Sequence, residues 1–285
     1  MRRFVISALF ATSALSAQAA GVSHTDYGRL PKLGSAIALI YDQQTQQPLY
    51  TKNADSVVPI ASISKLMTAM VVLDANLPMD EPITITREDR DHIKGTKSRL
   101  KDGMTFTRGD LLTLALMASE NRAASALART YPGGKAVMVA MMNAKARALG
   151  MEDSHFEGPT GLNSENVSTA QDLVKLVEAA QGYEAIQRAT TQRAHVVRVN
   201  ERQALHFVNT NPLVRNQNWE IGVSKTGYIS EAGRCLVMQA KLSERPTVIV
   251  LLDSWGKNTR VGDAVRIKNW MERPLQHASR QSRIR

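Results

Sequence analysis

The chain has 285 residues, of which 43% are hydrophobic and 22% charged, as in a globular protein with one large domain or two modest ones. The formal net charge is +10, but the positive residues are dispersed and only 5% of residues are aromatic, which argues against a nucleic acid partner. The single cysteine, Cys235, excludes an internal disulfide, and its apolar neighbours indicate a buried structural thiol rather than a nucleophile.

The first residues have the pattern of a secretory signal peptide, which we place at residues 1–19. Arg2 and Arg3 precede a short apolar run, and Ala17-Gln18-Ala19 supplies a small-x-small cleavage site. The apolar run is shorter than the roughly 20 residues that a membrane span needs. We therefore expect export to the periplasm, where the positive charge suits an anionic envelope.

A β-hairpin is predicted next, after a polar N-terminal segment at residues 20–34. Residues 35–42 have the apolar pattern of a buried strand, and a polar turn leads to a partner strand near 48–52. Residues 60–74 are then almost wholly apolar around Lys65, which predicts a helix that is buried on all sides.

The middle of the chain is rich in predicted helices. Apolar periodicity places them at 108–118, 121–130, 136–149 and 169–181. The last of these follows Ser168, with Gln171 three residues later, which is the pattern of a capping box.

The C-terminal third returns to strands and ends in an amphipathic helix. The strands are predicted at 222–228, 234–242 and 247–253, and the helix at about 260–272. Strands therefore bracket a helical middle. We predict an α/β (α+β) fold with an antiparallel sheet made from both chain ends and an all-helical lobe inserted between them.

These elements define one domain at residues 35–272, followed by a polar, basic tail at 273–285. We interpret the tail as a solvent-exposed end. Peripheral contact with anionic glycan or lipid of the envelope is the alternative.

Ser62-Ile63-Ser64-Lys65 places a serine and a lysine one helical turn apart, so the lysine amine can reach the serine hydroxyl. A serine is a poor nucleophile until a neighbouring base takes its proton. Lysine can be that base if burial in an apolar helix lowers its pKa. The start of a helix also favours negative charge. We predict Ser62 as a nucleophile and Lys65 as its base.

The same spacing recurs at Ser98-Arg99-Leu100-Lys101, so spacing alone is weak support. This second pair lies among charged residues, just before the turn-like Asp102-Gly103, with no apolar helix to lower a lysine pKa. We interpret it as surface structure.

Two further motifs could contribute to a site. Ser119-Glu120-Asn121 lies between two predicted helices, where a hydroxyl could relay a proton and an amide could orient a substrate. The similar Ser164-Glu165-Asn166 precedes a capped helix, and we assign it a loop-and-cap role. Lys225-Thr226-Gly227 lies in a strand-like run, where lysine and threonine could bind a carboxylate and glycine would allow close approach of another backbone.

In this order, the three motifs are those of class A β-lactamases and penicillin-binding proteins. Other segments agree with this pattern: Gly161-Leu162-Asn163, Ser168-Thr169-Ala170, Asn209-Thr210-Asn211 with Leu213, and Glu231 to Cys235. Over roughly residues 35–272, the chain resembles low-molecular-mass penicillin-binding proteins of the serine D-alanyl-D-alanine peptidase family, and most nearly the D-alanyl-D-alanine endopeptidases. The order and spacing in that family also favour Ser119 over Ser164.

The resemblance implies a β-lactamase/transpeptidase-like fold and peptidoglycan stem peptides as substrate. It implies that Ser62 attacks a D-alanine carbonyl and forms an acyl-enzyme, and that β-lactam antibiotics acylate the same serine. Lys65 would take the serine proton, and Ser119 would help to pass a proton to the leaving amine. The substrate-binding residues implied are Asn121, Lys225, Thr226, Gly227 and Tyr228, with the backbone N–H groups of Ser62 and Tyr228 as oxyanion hole.

Within the family, the endopeptidases compete with the carboxypeptidases, which often carry a second β-rich domain and a membrane helix. Only 58 residues follow Gly227 in this chain of 285, and Tyr228 stands where many carboxypeptidases have histidine. Both features favour an endopeptidase that cleaves D-alanyl cross-links, with a carboxypeptidase that trims pentapeptides as the alternative. Arg260 is either a surface charge at the start of a helix or a further carboxylate ligand.

Two other activities are disfavoured. A β-lactamase would have a deacylating glutamate four residues before Asn163, but Pro159 stands there and Glu157 is out of register. A non-hydrolytic murein-binding or β-lactam-sensing module would show broken motifs, whereas all three are intact.

The six histidines, at 24, 92, 155, 195, 206 and 277, show no metal-binding spacing. We therefore expect no metal and no cofactor.

Overall fold

The computed structural model describes residues 29–281. The predicted signal peptide and most of the segment that follows it lie outside these residues. Within the described range, no helix combines the length and the apolar content that a membrane crossing requires.

The centre of the molecule is an antiparallel sheet of five strands. They are β1 (Ser35–Asp42), β2 (Gln47–Lys52), β9 (Glu220–Ile229), β10 (Gly233–Leu242) and β11 (Arg245–Ser254). Their order is β2-β1-β11-β10-β9, so the two ends of the chain meet where β1 pairs with β11. The predicted sheet from both chain ends is confirmed, and β9 is one of its edges.

Both faces of this sheet are covered. Along β1, Ile37 and Leu39 belong to one hydrophobic cluster, and Ala38 and Ile40 belong to another. Successive side chains of a strand point to opposite faces, so a strand that is apolar at consecutive positions needs a layer on each side. Helix α7 (Thr259–Gln281) covers one face, and the inserted helical lobe covers the other.

The helical lobe consists of six helices. They are α1 (Lys65–Asp74), α2 (Arg108–Met117), α3 (Asn121–Arg129), α4 (Gly134–Ala148), α5 (Ala170–Gln181) and α6 (Glu184–Thr191). Helix α1 contacts the other five, and its residues from Lys65 to Val72 are all buried. A helix surrounded in this way has no face for solvent, which explains its almost wholly apolar sequence.

Three small strand pairs complete the fold. β3 (Val58–Pro59) pairs with β6 (Val167–Ser168), β4 (Pro82–Thr84) with β5 (Thr105–Thr107), and β7 (Ala194–Asn200) with β8 (Gln203–Val208). The sequence did not predict helix α6 or the β7–β8 hairpin. The hairpin fully buries only Val197 from β7 and Phe207 from β8, and the exposed apolar residues Val196 and Val208 obscure the alternation of its strands.

Three predicted boundaries were wrong. The helix expected at 60–74 begins as a 3-10 turn, Ala61–Ser64, and α1 follows it. Helix α5 is capped by Thr169 and not by Ser168: the Thr169 hydroxyl accepts from the Asp172 N–H at 3.1 Å, whereas the Ser168 hydroxyl is hydrogen-bonded to that of Ser154. The last helix continues beyond the predicted residue 272 to Gln281, into the segment interpreted as a tail.

Candidate active site

Ser62 and Lys65 are in direct contact. Ser62 lies in the 3-10 turn that leads into α1, and Lys65 is the first residue of that helix. Lys65 Nζ lies 2.9 Å from Ser62 Oγ. The same amine donates to Asn121 Oδ1 at 2.8 Å and to the Thr160 carbonyl at 2.6 Å. These contacts hold the amine beside the serine hydroxyl.

The environment of Lys65 suits a proton acceptor. Its side chain is completely buried. Burial lowers the pKa of Lys65 to about 7, because the ammonium form loses its hydration, and the negative charges of Glu120 and Asp91 offset this only in part. An amine with this pKa is substantially unprotonated at neutral pH, so it can take a proton from Ser62.

Ser119 lies at the corner between α2 and α3, as predicted. Its φ of +58° is in the left-handed region, which non-glycine residues seldom adopt and which often marks a functional position. Its hydroxyl lies 2.9 Å from Lys225 Nζ, which extends from the edge strand β9. This contact joins the helical lobe to β9, and we call the boundary between these two walls, at Ser62, the cleft.

Lys225 is buried, with Lys65 and Arg260 near its amine. Burial lowers its pKa well below the usual lysine range, and the charges of Lys65 and Arg260 lower it further. Its amine also donates to the Thr226 carbonyl at 2.8 Å. Its two hydrogen-bond partners, the Ser119 hydroxyl and the Thr226 carbonyl, are both uncharged.

The two residues that flank Gly227 differ in exposure. Thr226 is buried, and its hydroxyl lies 2.7 Å from that of Thr210. Tyr228 is 56% exposed, and the guanidinium of Arg234 lies over its ring at 4.5 Å. Tyr228 is therefore accessible to solvent near the C-terminal end of β9.

Two glycines press against the turn that carries Ser62. A Cβ on Gly227 would lie 3.0 Å from Ala61 Cβ and 3.1 Å from Ser62 N. A Cβ on Gly161, whose φ is +73°, would lie only 1.9 Å from the Ala61 carbonyl oxygen. The close approach expected at Gly227 is confirmed, and Gly161 supplies a second one that packs the 157–163 segment against the same turn.

We expect Gly161→Ala to destabilise the protein by more than about 2 kcal/mol, because it adds a backbone clash to a left-handed φ. Gly150→Ala is the matched control, since Gly150 has a φ of +68° but nothing within 4 Å of an added Cβ. The control should lose only about 1 kcal/mol. Urea unfolding of both variants measures the difference, and equal losses would contradict the proposed clash.

The sequence did not identify Thr160 or Asn166 as parts of this site. The Thr160 carbonyl accepts from Lys65, and the buried Asn166 side chain accepts from the N–H groups of Glu157 and Gly158 and donates to Ser64 Oγ. Asn166 thus fixes the segment that carries Thr160. The loop part of the role assigned to Ser164-Glu165-Asn166 is confirmed, but the cap part was wrong, because Thr169 caps α5. The link from Asn166 to the nucleophile's turn was missed.

The competing sequence candidates do not form sites. Lys101 is exposed, and its amine donates to the Ser98 carbonyl rather than to the hydroxyl. Glu157 is exposed, and its carboxylate is bonded to His155. Cys235 is buried, and burial raises the pKa of its thiol to about 12, so it is a structural residue as predicted.

The fold is that of the DD-peptidases and DD-transpeptidases. The crystal structure of the Streptomyces K15 DD-transpeptidase matches with a TM-score of 0.78 and 28% identity, covering 84% of this chain and 97% of that one. A D-alanyl-D-alanine endopeptidase of Pseudomonas aeruginosa is 48% identical over 85% of this chain and 78% of its own length. Another from Escherichia coli is 44% identical over 92% of this chain and 84% of its own.

A profile of the D-alanyl-D-alanine carboxypeptidase family matches residues 25–256. The chain belongs to this family of serine DD-peptidases and is a hydrolase. The resemblance inferred from the three motifs is confirmed.

Proposed function

We propose that the protein is a periplasmic D-alanyl-D-alanine endopeptidase that cleaves cross-links between peptidoglycan stem peptides through an acyl-enzyme on Ser62. The 2.9 Å contact between Ser62 Oγ and the buried Lys65 Nζ carries this proposal. The names of the Pseudomonas and Escherichia relatives support the endopeptidase activity. The family description supports the alternative, a carboxypeptidase.

The reaction begins when Lys65 accepts the proton of Ser62 as Oγ bonds to the carbonyl carbon of a D-alanine. The backbone N–H groups of Ser62 and Tyr228 stabilise the oxyanion, and loss of one such donor typically costs ~10²–10³ in rate. The proton that Lys65 took from Ser62 then passes to the leaving amine with the help of Ser119, as the C–N bond breaks. Water then hydrolyses the acyl ester and restores the Ser62 hydroxyl.

Lys225, Thr226 and Arg260 are suited to bind the carboxylate near the scissile bond, or that of a β-lactam. Arg260 Nε and Nη1 are buried and have no hydrogen-bond partner among the described residues. Burial lowers the pKa of the Arg260 guanidinium, as it does that of the Lys225 amine. A carboxylate would favour the charged form of both groups. Arg260 is thus better interpreted as a ligand than as a surface charge.

The decisive test is a digest of isolated muropeptides, with the products separated by chromatography. Cross-linked dimers should be split to monomers, while free pentapeptides are trimmed slowly. Ser62→Ala serves as the inactive control. Dominant trimming of pentapeptides would establish the carboxypeptidase alternative, and a non-hydrolytic binding module would leave both substrates intact.

Export and envelope contact are separate parts of the proposal. The residues proposed as signal peptide support a periplasmic location, which fractionation of cells would test. Contact of the basic tail with the envelope stays a prediction.

A further inference from the structure

A compact loop, residues 91–96, lies beside the cleft on its helical wall. The carboxylate of Asp91 accepts from the backbone N–H groups of Ile93, Lys94 and Thr96 at 2.8, 3.0 and 2.8 Å. Thr96 Oγ1 accepts from Asn121 Nδ2 at 3.0 Å, and Asn121 in turn contacts Lys65. The 91–96 loop is therefore fastened to the same asparagine that holds the proposed base.

Lys94 extends from this loop to the opposite wall of the cleft. Its amine forms an ion pair with Glu231, which lies in the turn between β9 and β10, three residues beyond Tyr228. Ser230 Oγ holds the other carboxylate oxygen of Glu231 at 2.7 Å. Among the ion pairs of the described residues, this is the one that connects the helical lobe with the central sheet.

The position of this ion pair matters because β9 is an edge strand. An extended peptide can pair with a free sheet edge through its backbone. A peptide that lies along β9 from Lys225 towards Tyr228 and continues would meet the Lys94–Glu231 pair at the end of the strand. On the helical side, Asp91, His92 and Ile93 line a groove of about 500 Å³ together with Thr160 and Leu162.

The ion pair is partly exposed to solvent. The side chains of Lys94 and Glu231 are 28% and 41% exposed, and ion pairs at such positions contribute little to folding and are weakened by salt. The hydrogen bonds from Lys94 and Ser230 lower the pKa of Glu231 to about 2, so this carboxylate is ionised throughout the neutral range. Opening of the Lys94–Glu231 ion pair is therefore expected to depend on ionic strength and not on changes of pH within the neutral range.

We propose that Lys94 and Glu231 are specificity-determining residues whose ion pair bridges the cleft, admits a small acylating substrate, and must open for a cross-linked pair of stem peptides. The nature of the larger substrate rests on the function proposed above. The bridge thus limits the rate for long substrates without contacting the reacting atoms.

The test compares Lys94→Ala and Glu231→Ala with wild type, using kcat/KM for muropeptide dimers and the second-order rate of acylation by benzylpenicillin. Each variant should cleave dimers about two- to fivefold faster, the range that the free energy of one exposed ion pair allows. Benzylpenicillin acylation should not change. Lys241→Ala is the matched control, because Lys241 pairs with Glu244 at the surface of the β10–β11 hairpin, and its loss should change neither rate.

Two further comparisons show whether the faster dimer cleavage comes from loss of the ion pair's charge interaction or from the smaller size of the alanine side chain. The exchanged double variant, Lys94→Glu with Glu231→Lys, should return to the wild-type dimer rate. Raising ionic strength from about 0.01 M to 0.15 M, which shortens the Debye length from about 30 Å to 8 Å, should accelerate dimer cleavage more in wild type than in Lys94→Ala.

Dimer cleavage that is unchanged or slower in both single variants would overturn the proposal that the ion pair limits dimer cleavage. An exchanged variant that behaves like the single variants would overturn it as well.

Failure of wild type to be acylated by benzylpenicillin would contradict the proposed function instead. If wild type is acylated but leaves dimers intact, the endopeptidase assignment fails. In that case, gain of dimer cleavage in Lys94→Ala would support the bridge, and no gain would overturn it.

Discussion

Ser62→Ala should abolish the covalent adduct with penicillin and reduce peptide cleavage by a factor on the order of 10⁴ or more, because no other group can form the acyl bond. Intact mass spectrometry after incubation with benzylpenicillin measures the first effect directly. Wild type should gain the mass of one penicillin, and the variant should gain nothing. The fold should be retained, because Lys65 keeps its bonds to Asn121 and Thr160.

Ser98→Ala is the matched control for this experiment. Ser98 shares the serine–lysine spacing, but Lys101 reaches its carbonyl and not its hydroxyl. This variant should be labelled as fast as wild type. Labelling that survives Ser62→Ala would refute Ser62 as the nucleophile, and labelling lost in Ser98→Ala would show that the wrong pair had been chosen.

Lys65→Arg should also abolish acylation, with a loss of at least about 10³-fold, because an arginine does not release its proton at working pH. The measurement is the rate of benzylpenicillin labelling, and circular dichroism would verify that the variant is folded. Lys101→Arg, at the exposed pair, should label normally. Rapid labelling of Lys65→Arg would exclude Lys65 as the base.

The pH dependence of the wild-type enzyme provides an independent check on Lys65. Since burial lowers the pKa of Lys65 to about 7, the reactive unprotonated amine predominates above pH 7 and disappears as the pH falls below it. The acylation rate should therefore fall about tenfold per pH unit below about 7 and level off above it. A profile that stays flat down to about pH 5 would contradict a lysine base.

The sequence predicted α1 and the main strands because their patterns are local and strong. Helix α1 is apolar on all sides, and it proved to be surrounded by the rest of the lobe. The β7–β8 hairpin was missed because its strands bury only Val197 and Phe207. Weakly buried strands depend on the surface they meet, which a local pattern does not record.

The candidate site shows a similar division. Ser62 and Lys65 were identifiable because Lys65 lies three positions after Ser62, about one helical turn, so their contact follows from local geometry. Thr160 was not identifiable, because it contributes a backbone carbonyl, and every residue type carries one. Gly161 was noted only as part of a resemblance, and its steric role emerged from the 1.9 Å approach to Ala61.

The sequence alone determined the serine–lysine pair, the order of the three motifs and the apolar helix that lowers the pKa of Lys65. Only the tertiary structure placed Lys225 beside Ser119 and Lys94 beside Glu231, which are 106 and 137 residues apart along the chain. The physical reason is the distance along the chain over which each kind of interaction acts. Helical spacing and apolar periodicity act over a few residues, whereas these contacts depend on how the helical lobe packs against the edge strand β9.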